Sequence, residues 1–188
     1  DRPTRIARLS SWILASTRLF WSGVDLFFVR SGFLIGGILL QNAASKNYFS
    51  TFYIRRAARI VPLYLLVFLA FAALIYWGPE FLEKSYKRHL PLWCYITFTQ
   101  NFLYAARRSL DDPLIDVTWS LAVEEQFYIF LSILIRSLSK KKLWMITIAL
   151  IVLAPILRFF APNFLVAYLL PFHRADSLML PAFFPGSP

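Results

Sequence analysis

The stretch WSGVDLFFVRSGFLIGGILLQ, residues 21–41, has the length and apolarity of a helix that crosses a bilayer, yet it holds Asp25 and Arg30. A hydrocarbon core takes about 20 mostly apolar residues to span, and either charge at its centre costs about 2.5–3.5 kcal/mol on insertion scales. On an ideal helix a spacing of five sets the two side chains roughly 140° apart. Each is therefore expected to pair with a group on another helix, which makes the run one element of a bundle with a polar interior.

The rest of the chain agrees. Of its 188 residues 59% are hydrophobic and 18% aromatic, with only 16% charged, a balance too apolar for a soluble domain and too aromatic for a disordered one. The net charge of +10 sits mostly in short clusters between the apolar runs, such as Arg55, Arg56 and Arg59 or Lys140, Lys141 and Lys142. That is the pattern of membrane loops; no nucleic-acid-binding motif accompanies it. One cysteine, Cys94, cannot form an internal disulfide, and no Cys/His pairs stand at metal-ligand spacing.

Residues 24–41, 60–77 and 143–160 meet or approach spanning length, and 119–135 is a shorter run holding Glu124 and Glu125. Residues 9–21 are interrupted by Arg18 and too short to span alone, and 177–184 opens another apolar helix. Residues 92–106 contain Thr97, Thr99, Gln100 and Asn101, a poor composition for a crossing. Loop charge sets the orientation: 42–59 carries Lys46, Arg55, Arg56 and Arg59 with no acid and reads as cytoplasmic. If 92–106 crossed, the basic 136–142 would lie outside and 107–118, with Asp111, Asp112 and Asp116, inside. The positive-inside bias opposes both, so 92–106 is expected to be re-entrant or buried among helices, with 119–135 running inward. Pro62 reads as a first-turn proline, where the missing N–H costs nothing, and Pro155 as a kink within 143–160.

Four polar clusters need partners. Asp25, Arg30, Ser31 and Gly32 form the first. In FYIRRAARIVPLY, Arg56 and Arg59 are three apart and Arg55 and Arg59 four apart, so guanidinium groups share a helix face. In TWSLAVEEQFYIF, the spacing of four from Ser120 to Glu124 to Tyr128 draws one polar stripe. FHRADSL adds His173, Arg174 and Asp176, with His173 expected to be solvated or interfacial in a loop. Arginines at a cytoplasmic helix end can serve as orientation signals, and a buried carboxylate can serve only to satisfy an arginine. An acid within a membrane run more often lines a polar cavity, and arginines at its mouth suit a phosphate-bearing ligand. Two classes fit these residues: an enzyme handling a phosphorylated cofactor, and an anion or proton-coupled transporter.

The segments GVDLFFVRSGFLIGG, FYIRRAARIVPLYLL, TFTQNF, VTWSLAVEEQFYIF and HRADSL, collinear over most of residues 23–178, resemble the acyltransferase 3 family of integral membrane acyltransferases. The resemblance implies an all-α bundle of about ten transmembrane helices in a bacterial inner membrane, of which residues 1–188 would be one partial domain. It implies transfer of an acyl group, commonly acetyl, from cytoplasmic acyl-coenzyme A to a hydroxyl of an extracytoplasmic carbohydrate, without a metal. It places Arg56 and Arg59, with Arg55 beside them, at coenzyme A, and Glu124, Asp25 and Ser31 at the chemistry. Gly32, Ser120, Tyr128, Arg174 and Asp176 are further motif positions. The chain departs from the family in one respect. The family's first helix has an Arg followed about ten residues later by a His, whereas no histidine here precedes His89, and Ser16 and Leu19 lie eleven residues on from Arg5 and Arg8. Residues 1–22 thus read as a degenerate or truncated first helix. The alternative expectation is then a catalytically impaired fragment or a non-catalytic component that binds acyl-coenzyme A, with a transporter as the third reading.

Overall fold

The computed structural model describes the backbone of residues 5–78, 89–110 and 114–182, and the side chains of 23–78, 89–110 and 114–180. The readings made for Arg5, Arg8, Ser16, Arg18 and Leu19 as side chains, and for Asp111 and Asp112, lie outside the described residues. The elements are α1 (Arg5–Gln41), α2 (Tyr48–Trp77), α3 (Leu92–Ile96), α4 (Gln100–Arg107), a 3-10 turn (Asp116–Thr118), α5 (Trp119–Ser137), α6 (Lys140–Phe160), α7 (Phe164–Leu169), a second 3-10 turn (Pro171–Arg174) and α8 (Ala175–Ala182). The described residues are all-α, and three helical stretches are long and apolar enough to cross a membrane: Gly23–Gln41, Tyr48–Trp77 and Lys140–Phe159. Leu63, Leu66 and Leu69 on α2 and Ile148, Val152 and Phe159 on α6 point outward and exposed, as a lipid-facing surface requires. This is a multi-pass helical membrane protein.

Two boundaries differ by many residues from those read in the sequence. Residues 9–21 and 24–41 belong to one helix, α1, whose 37 residues extend about 55 Å at 1.5 Å per residue. It stops where the Asn42 side chain donates to the Ile38 carbonyl at 2.8 Å. Helix α2 starts at Tyr48 rather than at residue 60, so Arg55, Arg56 and Arg59 project from a helix and the loop proper is residues 42–47. Pro62 consequently sits deep inside α2, where its missing N–H leaves the Ala58 carbonyl without its intrahelical donor.

Residues 92–106 do not form one helix. The chain breaks between α3 and α4 at residues 97–99, where Phe98 takes a positive φ of 53° and stacks on Tyr64 at 4.7 Å between centroids. Gln100 and Asn101 are fully buried, in line with the expectation of a segment held among helices.

Helix α5 is the interior helix. Val123, Glu124, Phe127, Tyr128, Leu131 and Ile135 recur at three- and four-residue steps and all are buried, the apolar stripe of a core-facing helix with one acid set into it. Its C-terminal end meets the α1–α2 loop, where the Arg136 guanidinium donates to the Ala43 carbonyl. At its other end Trp119 packs edge-on to Phe28, centroids 6.2 Å apart, and to Tyr168 at 4.9 Å. Helices α1 and α5 therefore run the same way, as the charge argument required. Helix α8 also follows α1: Arg174 stands at the level of Asp25 and Leu178 at that of Gly32, where an added Cβ would lie 2.2 Å from the Leu178 carbonyl oxygen. A glycine is needed for that approach.

Candidate functional site

Three helices converge on one polar cluster. Ser31 of α1 and Tyr128 of α5 share a hydroxyl–hydroxyl hydrogen bond, and both hydroxyls flank the Glu124 carboxyl. Glu124 is 2% exposed, and its Oε1 has no hydrogen-bond partner among the described residues. From α2, the Arg56 guanidinium lies over the Tyr128 ring at 3.6 Å from the centroid and pairs with Glu125 at 3.3 Å. Arg56 is thus neutralised by one acid of the Glu-Glu pair, leaving the other beside the hydroxyls.

The register of the helices explains the meeting. Ser31 lies ten residues before the end of α1 and Arg56 eight residues after the start of α2, so both sit about 12–15 Å along their helices from the loop joining them. Below this level a second hydroxyl group ties α2 to α5: Tyr53 and Ser132 share a hydrogen bond of 2.7 Å, and Tyr48 donates to the Ser132 carbonyl at 3.1 Å.

Between α1 and α2 lies a cavity of about 400 Å³ whose polar lining includes Asn42, Ser45, Thr51, Arg55, Arg56 and Arg59. Arg55 and Arg59 are exposed and enter no ion pair among the described residues. Arg56 is common to the cavity wall and the Tyr128 contact, so the cavity leads from two unneutralised guanidinium groups to the edge of the Ser31–Glu124–Tyr128 cluster. A cationic mouth with bidentate donors is the surface that phosphate esters select.

A second cluster occupies the opposite end. Arg174 donates to Asp25 at 2.5 Å and lies over the Tyr168 ring at 3.9 Å. Arg158 of α6 grips both carboxylate oxygens of Asp176, at 2.8 and 2.5 Å, and donates to the His173 carbonyl at 2.6 Å. His173, expected to be solvated or interfacial, is buried at 9% exposure: the 3-10 turn folds inward because its carbonyl is held by Arg158. Burial, then the Arg158 and Arg174 charges, push its pKa below the ordinary value, and the ring's Nδ1 has no partner among the described residues.

The structure thus brings Ser31, Glu124, Tyr128 and Arg56 together and sets Gly32 against the backbone of α8. It separates others. Asp25 sits with Arg174 at the far end, six residues and about 9 Å along α1 from Ser31. Asp176 pairs with Arg158 rather than sharing a partner with Arg174. Ser120 leaves the predicted stripe, because its hydroxyl donates back to the Val117 carbonyl at 3.1 Å in the first turn of α5. Arg30 does not pair with Glu124. It is exposed and lines an apolar hollow with Leu26, Phe33 and Asp176, since Glu124 faces the Ser31 side of α1. Sequence reasoning passed over Glu125 as a partner for Arg56, and Arg158, which is a charge inside an apolar run just as Asp25 is. It also passed over the amide pair of Asn101 and Gln126, which exchange hydrogen bonds at 3.3 and 2.9 Å.

Comparison with known proteins gives the family. A peptidoglycan O-acetyltransferase of Listeria monocytogenes is 32% identical over 64% of this chain and 21% of its own length. An uncharacterized protein of Haemophilus influenzae is 34% identical over 75% of this chain and 62% of its own. The chain therefore spans about a fifth of the first relative and less than two thirds of the second. No solved structure matches. The acyltransferase 3 family model, described as an acyltransferase domain, matches residues 5–186, and this membrane-helix chain belongs to that acyltransferase family.

Proposed function

We propose that the chain is the membrane portion of an O-acyltransferase that takes an acyl group, acetyl by analogy with the Listeria relative, from acyl-coenzyme A to a hydroxyl of a cell-surface carbohydrate. The observation that carries this reading is the continuity from Arg55 and Arg59 through Arg56 to the buried Glu124 with its two hydroxyl neighbours. Arg55 and Arg59 bind the phosphates of the donor at the basic end, the end that carries Arg136 and Lys140 to Lys142 and faces the cytoplasm. The acyl thioester then extends along the cavity toward Tyr128. Glu124, whose Oε1 is free, accepts the proton of an attacking hydroxyl, a role worth typically 10²–10⁴-fold. Asp25 and Arg174, held at the opposite end, border the side from which a carbohydrate arrives. The protein sits in the bacterial inner membrane on this reading.

The test uses membranes carrying the full protein and labelled acetyl-coenzyme A, with incorporation into glycan as readout. Transfer lost on Glu124→Gln, and weakened on Arg59→Ala through a raised KM for the donor, supports the proposal. Coenzyme A bound without transfer would instead make the chain a binding component, and transfer unchanged in both variants would remove Glu124 and the arginine cavity from the mechanism.

A further inference from the structure

Arg30 is a guanidinium without an anion. It stands about 16–17 Å along α1 from the end of that helix, near the middle of a hydrocarbon core about 30 Å thick. It is exposed and has no ion pair or hydrogen bond among the described residues. The acids of the bundle are engaged elsewhere. Asp25 pairs with Arg174, Asp176 gives both oxygens to Arg158, and Glu125 pairs with Arg56. Glu124 is buried beside Ser31 and Tyr128, and Asp116 is buried with Tyr104. A long helical side chain lies back toward the helix N-terminus, so the Arg30 guanidinium is carried toward the Asp25 end, the outer one in the orientation set by loop charge. A charge left open to hydrocarbon is costly, and its counter-ion has to come from outside these helices.

The space beside Arg30 fits a particular carrier of that anion. Between α1 and α8 lies a hollow of about 650 Å³ walled by Leu26, Val29, Phe33 and Leu180 and bordered by Arg30, Asp176 and Ser177. Its lining is almost wholly apolar, so Arg30 and Asp176 present carbon to it and hold their charges at its edge. Leu26, Val29, Phe33 and Leu180 are all exposed, which opens the hollow sideways to the bilayer. Its two walls are fixed against each other where the backbones of Gly32 and Leu178 meet. We propose that this hollow binds a phosphate-bearing membrane lipid of the outer leaflet, with a hydrocarbon chain between α1 and α8 and the phosphate on Arg30. A guanidinium offers phosphate two parallel donors, and Ser177 adds a hydroxyl at the edge. The Asp176 carboxylate is neutralised by the fork of Arg158 and does not oppose the phosphate. Basic pockets between membrane helices take anionic head groups in this way. The site lies apart from Glu124 and the arginine cavity and does not depend on the acyltransferase reading.

The experiment titrates the full protein in detergent with phosphatidylglycerol, or with diacylglycerol of the same chains, and counts retained lipids by native mass spectrometry. Other arginines also hold anionic lipid, so the readout is the difference between wild type and Arg30→Leu. The wild type should retain one more phosphatidylglycerol than Arg30→Leu, with affinity about tenfold above that for diacylglycerol. Millimolar inorganic phosphate should fail to displace it. Arg30→Leu removes a charge from membrane depth and should insert at least as well as the wild type, while Arg30→Lys should keep part of the preference. Val29→Trp fills the hollow and should lose the same lipid with Arg30 still present. Equal retention by wild type and Arg30→Leu would overturn the site, and is the outcome if an acid elsewhere in the full protein neutralises Arg30. Displacement by inorganic phosphate would reduce it to an ion site, and undiminished retention by Val29→Trp would put the chain elsewhere; either overturns the lipid. Acyl transfer is not read in any arm, so failure here leaves the acyltransferase reading standing.

Discussion

Arg174 and Asp25, 149 positions apart in sequence, meet at 2.5 Å, joining the turn before α8 to the first helix. Arg174 is the buried partner, with its side chain 10% exposed against 44% for Asp25. Removing the carboxylate therefore strands a desolvated guanidinium. Breaking a fully buried pair costs about 3–5 kcal/mol, and the exposure of Asp25 brings Asp25→Asn to roughly 1–3 kcal/mol. A lowered unfolding midpoint in detergent, partly restored by the double swap Asp25→Arg with Arg174→Asp, would bear this out. An unchanged midpoint would mean that Tyr168 alone holds Arg174.

Arg158 ties α6 to α8 through three acceptors, the two Asp176 oxygens and the His173 carbonyl. A lysine keeps the charge but not the fork. Arg158→Lys should therefore lose most of the stability that Arg158→Gln loses, as read by thermal unfolding. Full rescue by lysine would show that charge alone is used there.

The arginines of the cavity should separate in kinetics. Arg55→Ala and Arg59→Ala remove groups that touch only the donor and should raise KM for acetyl-coenzyme A about tenfold with kcat little changed, the signature of uniform binding. Arg56→Ala also strands Glu125 and uncovers Tyr128, so both kcat and stability should fall. Equal effects from all three would argue against the distinct placement of Arg56.

Gly32→Ala should destabilise by about 1–3 kcal/mol, the usual cost of overpacking, because the new Cβ lies 2.2 Å from the Leu178 carbonyl oxygen and backbone must move to admit it. The neighbouring Gly37, with open space around it, provides the control: Gly37→Ala should be neutral or mildly stabilising through helix propensity.

His173 predicts a pH effect. Its folded pKa is lowered by burial and by two arginines, so between that value and the unfolded one near 6.5 the unfolded chain binds more protons. Stability from this group is complete above about pH 6.5 and declines as pH falls through the window below it. The His173→Gln variant should flatten that slope in unfolding experiments run from pH 7.5 to 5, and an equal slope in both proteins would dismiss His173 as its source.

The sequence made legible what local spacing controls. A spacing of five sets Asp25 and Arg30 about 140° apart; Asp25 finds Arg174, whereas Arg30 stays exposed beside an apolar hollow, and the step of four puts Glu124 and Tyr128 on the buried face of α5. Partners set by tertiary packing were not legible. Ser31 and Tyr128 are 97 positions apart, and nothing in either segment ranks Tyr128 over other tyrosines. The sequence ranks no partner for Arg30, because the face of α1 on which it stands, exposed and turned from Glu124, is set by tertiary packing. His173 was misplaced because a loop near a proline reads as solvated or interfacial, whereas a distant guanidinium, Arg158, draws its carbonyl inward. Pro62 misled the start of α2, since a proline marks a helix opening more often than a helix interior.

The break at residues 97–99 bears on the order in which the chain folds. Backbone groups released there cannot face lipid; several bond locally, and two carbonyls are met from other helices. Tyr64 of α2 donates to the Tyr95 carbonyl at 2.8 Å and Gln126 of α5 to the Phe98 carbonyl at 2.7 Å. On the ribosome α2 emerges before this segment and α5 after it. Residues 92–107 therefore complete these hydrogen bonds only after α5 is made, which ties the folding of the broken segment to the helix that carries Glu124.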